Sequence, residues 1–336
     1  MGNQTSIGNV KNQKWGVMVH LLEGVQNNPE HVTNENIGKT SWEELINGID
    51  VEEIARELHE MGAGWLLVTL MQTSKYMISP NETYNKITQY APGEACSTRD
   101  LPMELYEALK KYDIDLWLYY TGDGPCRDEQ GGEAMGLRNP EPGIDISENF
   151  IQNWASVLKE YAERYAGKAK RWWLDGCYKY FGYTDDKLKI YHDVLKNADK
   201  NYMVAYNDGN AIEALWADKT SWRYEPTEDV QKRTNIQIKR SSIYEEYSAG
   251  EVLDFTIVPQ GDEEFQWHIL SPLSGGPWEN CGWADSGVKY TEEYFSNYLQ
   301  EIWGKGGIIT IEMGLKRSGK FFDAQKEFVK KVVKPL

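Results

Sequence analysis

A single (β/α)8 barrel is the fold class this sequence predicts, and three observations predict it. Short β-branched or aromatic runs recur along the chain, each followed by a longer amphipathic stretch, as expected of βα units around a parallel sheet. Eight such runs can be counted, and no Pro/Ser-rich linker, repeat period or compositional break interrupts them. The 336 residues suit one barrel with generous loops, so residues 1–336 read as one domain.

The first run, WGVMVH (Trp15 to His20), leads through a polar loop to a helix near Val51 to Met61. Asp50 is positioned to cap that helix, with Glu53 at the third helical position. The second run is WLLVTL (Trp65 to Leu70). Its following loop is long and rich in Gly, Pro, Tyr and Ser, the signature of a segment that lines a site rather than merely connecting elements. Asp100 then caps LPMELYEALKKY, where Pro102 sits in the first turn at little cost because the N–H it lacks has no helical partner there. LWLYY (Leu116 to Tyr120) is the third strand. A helix near Glu148 to Tyr165 precedes the fourth, RWWLD (Arg171 to Asp175), and YMVAY (Tyr202 to Tyr206) is the fifth. The sixth is placed at SSIYEEY (Ser241 to Tyr247), although no helix after it is obvious. QWHILS (Gln266 to Ser271) and GIITIE (Gly307 to Glu312) complete the set, before a final helix near Phe321 to Val333.

Composition narrows the function classes. The 36 Lys+Arg against 52 Asp+Glu give a net charge of −16, which repels nucleic-acid backbones and anionic membrane surfaces. No apolar run reaches the length of a membrane span, and the N-terminus lacks the apolar core of a signal peptide, which points to a cytoplasmic rather than an exported protein. Cys96, Cys126, Cys177 and Cys281 form no CxxC pair, so neither a zinc site nor a redox motif is indicated, and free thiols are expected. The five histidines form neither HxH nor HExxH, and GxSxG, GxGxxG and GxxxxGKS are absent. Metal-dependent hydrolase, serine hydrolase, dinucleotide and P-loop readings are therefore disfavoured, and no metal or organic cofactor is implied.

In such a barrel the reactive groups stand at the C-terminal ends of the strands. Those positions are polar throughout: His20, Gln72, Tyr119 or Tyr120, Asp175, Asn207, Glu246, His268 and Glu312. A single polar strand end is often no more than a loop anchor, but eight on one rim need a reason to forgo apolar burial. Asp175 stands out, because alternation puts Trp173 on its side of the strand and Gly176 frees the backbone to turn straight afterwards. Its bland alternative is a helix cap or a partner to a buried Arg. A glycosidase needs a second carboxyl group, and Glu245, Glu246, Glu251, Glu279 and Glu312 all fall at rim positions among which spacing does not choose. The 13 Trp and 21 Tyr suit stacking on the C–H faces of pyranose rings, while most of them are expected to fill the barrel wall.

The motifs resemble, in order along the chain, those of glycoside hydrolase family 29, the α-L-fucosidases. WGVMVH is similar to a first strand ending in a sugar-binding His, here His20. RDLPMELYEALKKYDIDLWLYYT resembles an Arg-Asp-Leu helix leading to a Leu-Tyr-Tyr-Ser strand, which implies Tyr119 or Tyr120 near the sugar. WWLDG resembles Trp-Phe-Asp-Gly, whose Asp is a nucleophile, and that match falls on Asp175. WGKGGIITIEMG resembles the Gly-Gly-Asn segment before the last strand. The departures are as informative. Met71-Gln72-Thr73 stands where the family pairs two histidines, a Trp-Glu pair appears as Trp267-His268 or shifted to Trp278-Glu279, Glu312 replaces Asn, and the C-terminal β-sandwich has no counterpart.

The resemblance implies a retaining, exo-acting glycoside hydrolase that cleaves a terminal sugar, which the departures above leave open to be other than fucose. Asp175 would be the nucleophile and a glutamate of the sixth segment the acid/base, Glu251 ahead of Glu246 because SAG before it suggests a turn onto the rim. His20, Gln72, Tyr119, Trp173, Asn207, His268, Trp278, Glu279 and Glu312 are the expected substrate contacts. Two alternatives are a carbohydrate lyase or transglycosidase on the same barrel, and a degenerate barrel that binds carbohydrate without turnover.

Overall fold

The structure, a computed structural model, describes residues 14–137, 146–208, 240–252, 255–259, 266–274 and 283–333. Its centre is a curled sheet of seven parallel strands: β1 (Trp15–Val19), β2 (Trp65–Thr69), β3 (Asp115–Thr121), β4 (Ala169–Asp175), β5 (Met203–Tyr206), β6 (His268–Pro272) and β7 (Ile308–Glu312). They pair in the order β5-β4-β3-β2-β1-β7-β6. Seven of the predicted runs thus form strands with ends displaced by no more than two residues.

The predicted sixth run is corrected. Residues 241–245 turn instead of extending, because the Glu245 carboxyl group accepts from the backbone N–H groups of Ser241 (2.6 Å) and Ala249 (3.1 Å) and curls the chain around itself. The chain straightens only from Glu246 onward, between the two sheet edges. Glu246 N donates to Val204 O of β5 at 2.9 Å, Ser248 N to Gln266 O at 3.0 Å and Val252 N to Leu270 O of β6 at 2.9 Å. Gly250 makes this possible: its φ is +67°, and a Cβ there would lie 1.9 Å from His268 O.

Helices cover the outer face, and their starts follow local capping chemistry. Val51–Met61 begins at Asp50, whose carboxylate accepts from Glu53 N at 3.1 Å. Leu101–Lys110 begins at Asp100, which accepts from Met103 N at 3.2 Å, with Pro102 in the first turn. Glu148–Arg164 is capped by Ser147, while Asp185–Ala198, Glu292–Gly304 and Asp323–Val332 complete the major ones. The long segment after β2 packs inward more than expected of a site-lining loop, since Met77, Ile78, Ser79, Tyr84 and Cys96 are all buried there. No helix among the described residues is long and apolar enough to cross a membrane.

Two apolar layers result from the period of two along each strand. Outward residues such as Val17, Leu66, Leu118 and Trp172 pack against the helices, while Met18, Leu67, Trp117, Tyr119, Trp173, Ala205 and Leu270 fill the concave interior.

Candidate active site

Continuing the inward alternation past this interior layer brings polar residues to the C-terminal rim. After Met18 comes His20, after Trp173 comes Asp175, after Ala205 comes Asn207, after Ala249 comes Glu251 and after Thr310 comes Glu312. The register joins them, since Thr121 of β3 pairs with Asp175, Met18 of β1 with Glu312, and Glu251 bridges to Leu270 of β6.

Asp175 is the most heavily hydrogen-bonded of these. Tyr119 Oη donates to its Oδ2 at 2.6 Å, Asn207 Nδ2 to its Oδ1 at 2.7 Å, and Tyr178 Oη reaches Oδ1 at 3.4 Å. The same Asn207 Nδ2 donates to Glu251 Oε2, so one amide holds both carboxylates. Asn207 is itself fixed through its backbone, giving its N–H to Leu174 O (2.8 Å) and accepting at its carbonyl from Cys177 N (3.0 Å). Tyr119 stacks on Trp173 with ring centres 5.3 Å apart, and the Trp173 indole donates to Ala249 O at 2.8 Å, which supports the two acids from below.

Withdrawal from water pushes the Glu251 carboxyl up to about 8, and the nearby charges of Asp175 and Glu312 add to the rise. Glu251 therefore holds a proton at neutral pH beside the hydrogen-bonded Asp175. Burial and the Asp175 charge likewise drive the Tyr119 and Tyr178 phenols up, keeping both as neutral donors.

Across the rim, His20 Nδ1 lies 2.5 Å from Glu312 Oε1, close but out of line for a hydrogen bond. The His20 ring meets Trp283 edge-on at 4.2 Å between centres, and Tyr119 at 6.0 Å.

The other expected residues are placed differently. Gln72 is half-buried after β2, with no side-chain bond to Asp175 or Glu251. Glu246 faces away from Asp175, pairing with Lys196 Nζ at 2.6 Å and accepting from Val204 N at 3.1 Å. His268 opens β6 instead of closing it, so it lies one layer below the rim. Its Nε2 meets Thr310 Oγ1 at 2.6 Å, its Nδ1 the carbonyl of Ala249 at 3.1 Å, and burial, aided by the Arg171 charge, lowers its pKa to about 3. Trp278 and Glu279 lie outside the described residues.

Sequence reasoning missed three neighbours. Tyr178 and Trp283 touch the rim as described, and Asp123 is buried behind Asp175. Gly122 N donates to Asp175 O at 2.5 Å, and Gly176, at φ +65°, passes so near that a Cβ would lie 3.1 Å from Asp123 Oδ1. Desolvation raises the Asp123 carboxyl to about 7, against the lowering bond from Thr121 Oγ1. The run of aromatic residues directly after LDG was the available signal for Tyr178.

No family model and no curated protein matches the sequence. Solved structures do match. An endo-fucoidan hydrolase of glycoside hydrolase family 107, P5AFcnA, superposes with a TM-score of 0.63 at 12% identity, over 95% of this chain and 90% of that one. The chain spans only 52% of a second family 107 endo-fucoidan hydrolase, MfFcnA4 (TM-score 0.62, 11% identity, 95% of this chain). A family 29 α-L-fucosidase from Bacteroides thetaiotaomicron gives a TM-score of 0.59 at 15% identity, over 95% of this chain and 70% of that one. Family 29 is thus not singled out, since family 107 structures superpose at least as well. At these identities the likeness is one of fold, and the fold is the parallel α/β architecture of those glycoside hydrolases.

Proposed function

We propose that this chain is a retaining glycoside hydrolase that removes a terminal sugar, with Asp175 as nucleophile and Glu251 as acid/base. The observation that carries the reading is the shared Asn207 amide: Asp175 and Glu251 each lie within hydrogen-bond reach of one nitrogen. Two contacts to one nitrogen keep the nearest oxygens of the pair within about two hydrogen-bond lengths of each other, which favours the roughly 5–5.5 Å spacing of retaining enzymes over the gap of about 6.5–9.5 Å in which inverting enzymes place a water.

In the first step an Asp175 carboxylate oxygen attacks the anomeric carbon while protonated Glu251 gives its proton to the departing glycosidic oxygen. In the second, Glu251, now a carboxylate, takes a proton from water, whose oxygen displaces Asp175 from the sugar. Tyr119 and Asn207 orient the nucleophile, and His20, Gln72, Glu312 and Trp283 are the groups that would meet the sugar. The segment from Glu246 to Val252 serves as the eighth stave, which makes the sheet a closed (β/α)8 barrel and the chain one catalytic domain. Because the structural neighbours are named as fucosidases and fucoidan hydrolases, an α-L-fucoside is the first substrate to try.

The test is turnover of aryl α-L-fucoside, galactoside, arabinoside and rhamnoside by wild type and Asp175→Ala, with the product anomer followed by NMR. The expected outcome is net retention and a loss of at least about 10⁴-fold in the variant. An inverted product removes the nucleophile role. An unsaturated product points to a lyase, a glycosyl acceptor adduct to a transglycosidase, and binding without turnover to a degenerate barrel.

A further inference from the structure

Beyond Asp175 the chain turns through a short 3-10 segment, Lys179–Phe181, that presents the Tyr180 ring to solvent while Phe181 packs partly against the core. Tyr180 is 68% exposed and lies stacked on Tyr178, with centres 5.0 Å apart and planes within 18°. Phe181 meets Tyr180 edge-on at 4.4 Å. A large apolar ring held open to water costs burial free energy, and this one is continuous with the site, because Tyr178 Oη reaches Asp175 Oδ1.

The shelf is firmly seated. Phe181 N donates to Tyr178 O at 3.0 Å, Ile146 N to Phe181 O at 3.2 Å, and Lys187 Nζ to the carbonyls of Gly182 (2.7 Å) and Ile146 (2.6 Å). Its position is directional as well. Tyr178 and Asn207 converge on Oδ1 of Asp175, and Asn207 links that oxygen to Glu251, so the shelf starts on the side where the proposed acid stands. The group that receives the acid's proton leaves on that side.

We infer that Tyr178 and Tyr180 form a second binding subsite, for a sugar ring on the leaving-group side, and that the substrate is an oligosaccharide or glycan rather than a small glycoside. A pyranose presents axial C–H groups that stack on a flat aromatic face, and Tyr180 offers such a face with most of its surface in contact with water. The inference rests on the glycosidase reading for the direction of the leaving group.

Sulfur-linked disaccharides that carry fucose, galactose, arabinose or rhamnose on glucose or N-acetylglucosamine resist turnover and serve as probes. Saturation-transfer NMR with the full chain should show contact to both rings. In Tyr180→Ala the second-ring signal should fall at least about fivefold while the terminal ring keeps its own, and Tyr180→Phe should restore it. With oxygen-linked disaccharides, Tyr180→Ala should lose about tenfold in kcat/KM, the worth of one stacked ring, yet hydrolyse the matching glycosyl fluoride at the wild-type rate. Terminal-ring contact without second-ring contact, or no change in Tyr180→Ala, overturns the subsite alone. Contact to neither ring with any probe overturns the glycosidase reading together with it.

Discussion

Compared with the rim, the layer beneath it is a closed system. Arg171 is buried there with its guanidinium 4.6 Å from the ring centres of both Trp117 and Tyr247, and His268 is neutral, its ring nitrogens turned to Thr310 and to backbone carbonyls. Arg171 meets its surroundings through these aromatic faces, its buried Nη1 having no hydrogen-bond partner among the described residues, while His268 is held by Thr310 and the backbone. Two steps further along the same inward alternation, past Trp173 and Ala249, Asp175 and Glu251 keep partial access to solvent, and His20 and Glu312 stand against each other across the opening. Both layers arise from the same period of two. What separates support from chemistry is whether a polar group's partners are all protein or leave a face for a ligand.

The largest effect expected from that contrast is at Glu251. Glu251→Gln should lower turnover of glycosides with poor leaving groups by about 10²–10⁴-fold and affect glycosyl fluorides far less, because fluoride departs without a proton. The wild-type rate should hold below pH about 8 and fall above it as the acid loses its proton, and the Gln variant should lack that basic limb. A limb that survives in the variant assigns the proton elsewhere.

Next comes the supporting layer. Arg171→Ala removes the cation from between two rings and leaves a gap, which should cost about 2–3 kcal/mol in denaturant unfolding while turnover by the folded protein stays within about threefold. Lost activity in a stable variant would erase the distinction between the two layers.

Glu245 offers a smaller and pH-dependent contrast. Burial raises its carboxyl to about 8, so the native chain keeps a proton that the unfolded chain gives up in the ordinary carboxylate range. Its stabilising contribution is complete below that range and is lost as pH rises through about 8. Glu245→Gln should flatten the decline of unfolding free energy between pH 5 and pH 9 by on the order of 2 kcal/mol, read from denaturation series across that interval. The smallest expected change is Tyr119→Phe, which deletes one donor to Asp175 and should lower kcat about tenfold with KM nearly constant.

Much of this arrangement was legible in the residues. Asp175 could be read from an aromatic strand closed by Gly, and Asn207 and Glu312 from strand ends that proved correct to within a residue or two. Glu251 was legible from the turn before it. Glu246 was given a rim place because Ser241 to Tyr247 reads as an alternating strand, whereas Glu245 captures two N–H groups and shifts the extended stretch toward Gly250. His268 was misplaced by a strand boundary, since β6 begins at that residue and continues to Pro272. Asp123 and Tyr178 come from loops, where no periodicity says which way a side chain points, and only the fold brings them to Asp175.

The amide of Asn207 has one more implication. Asp175 and Glu251 are 76 positions apart in the chain, yet their spacing is gauged by a single side chain that belongs to neither segment. The retaining reaction proposed above must keep that spacing through two opposite proton transfers, and the ruler is carried at the end of β5, whose backbone is pinned to β4. Neither can drift without straining its bond to Asn207, so a change at position 207 would act on both acids of the proposed reaction at once.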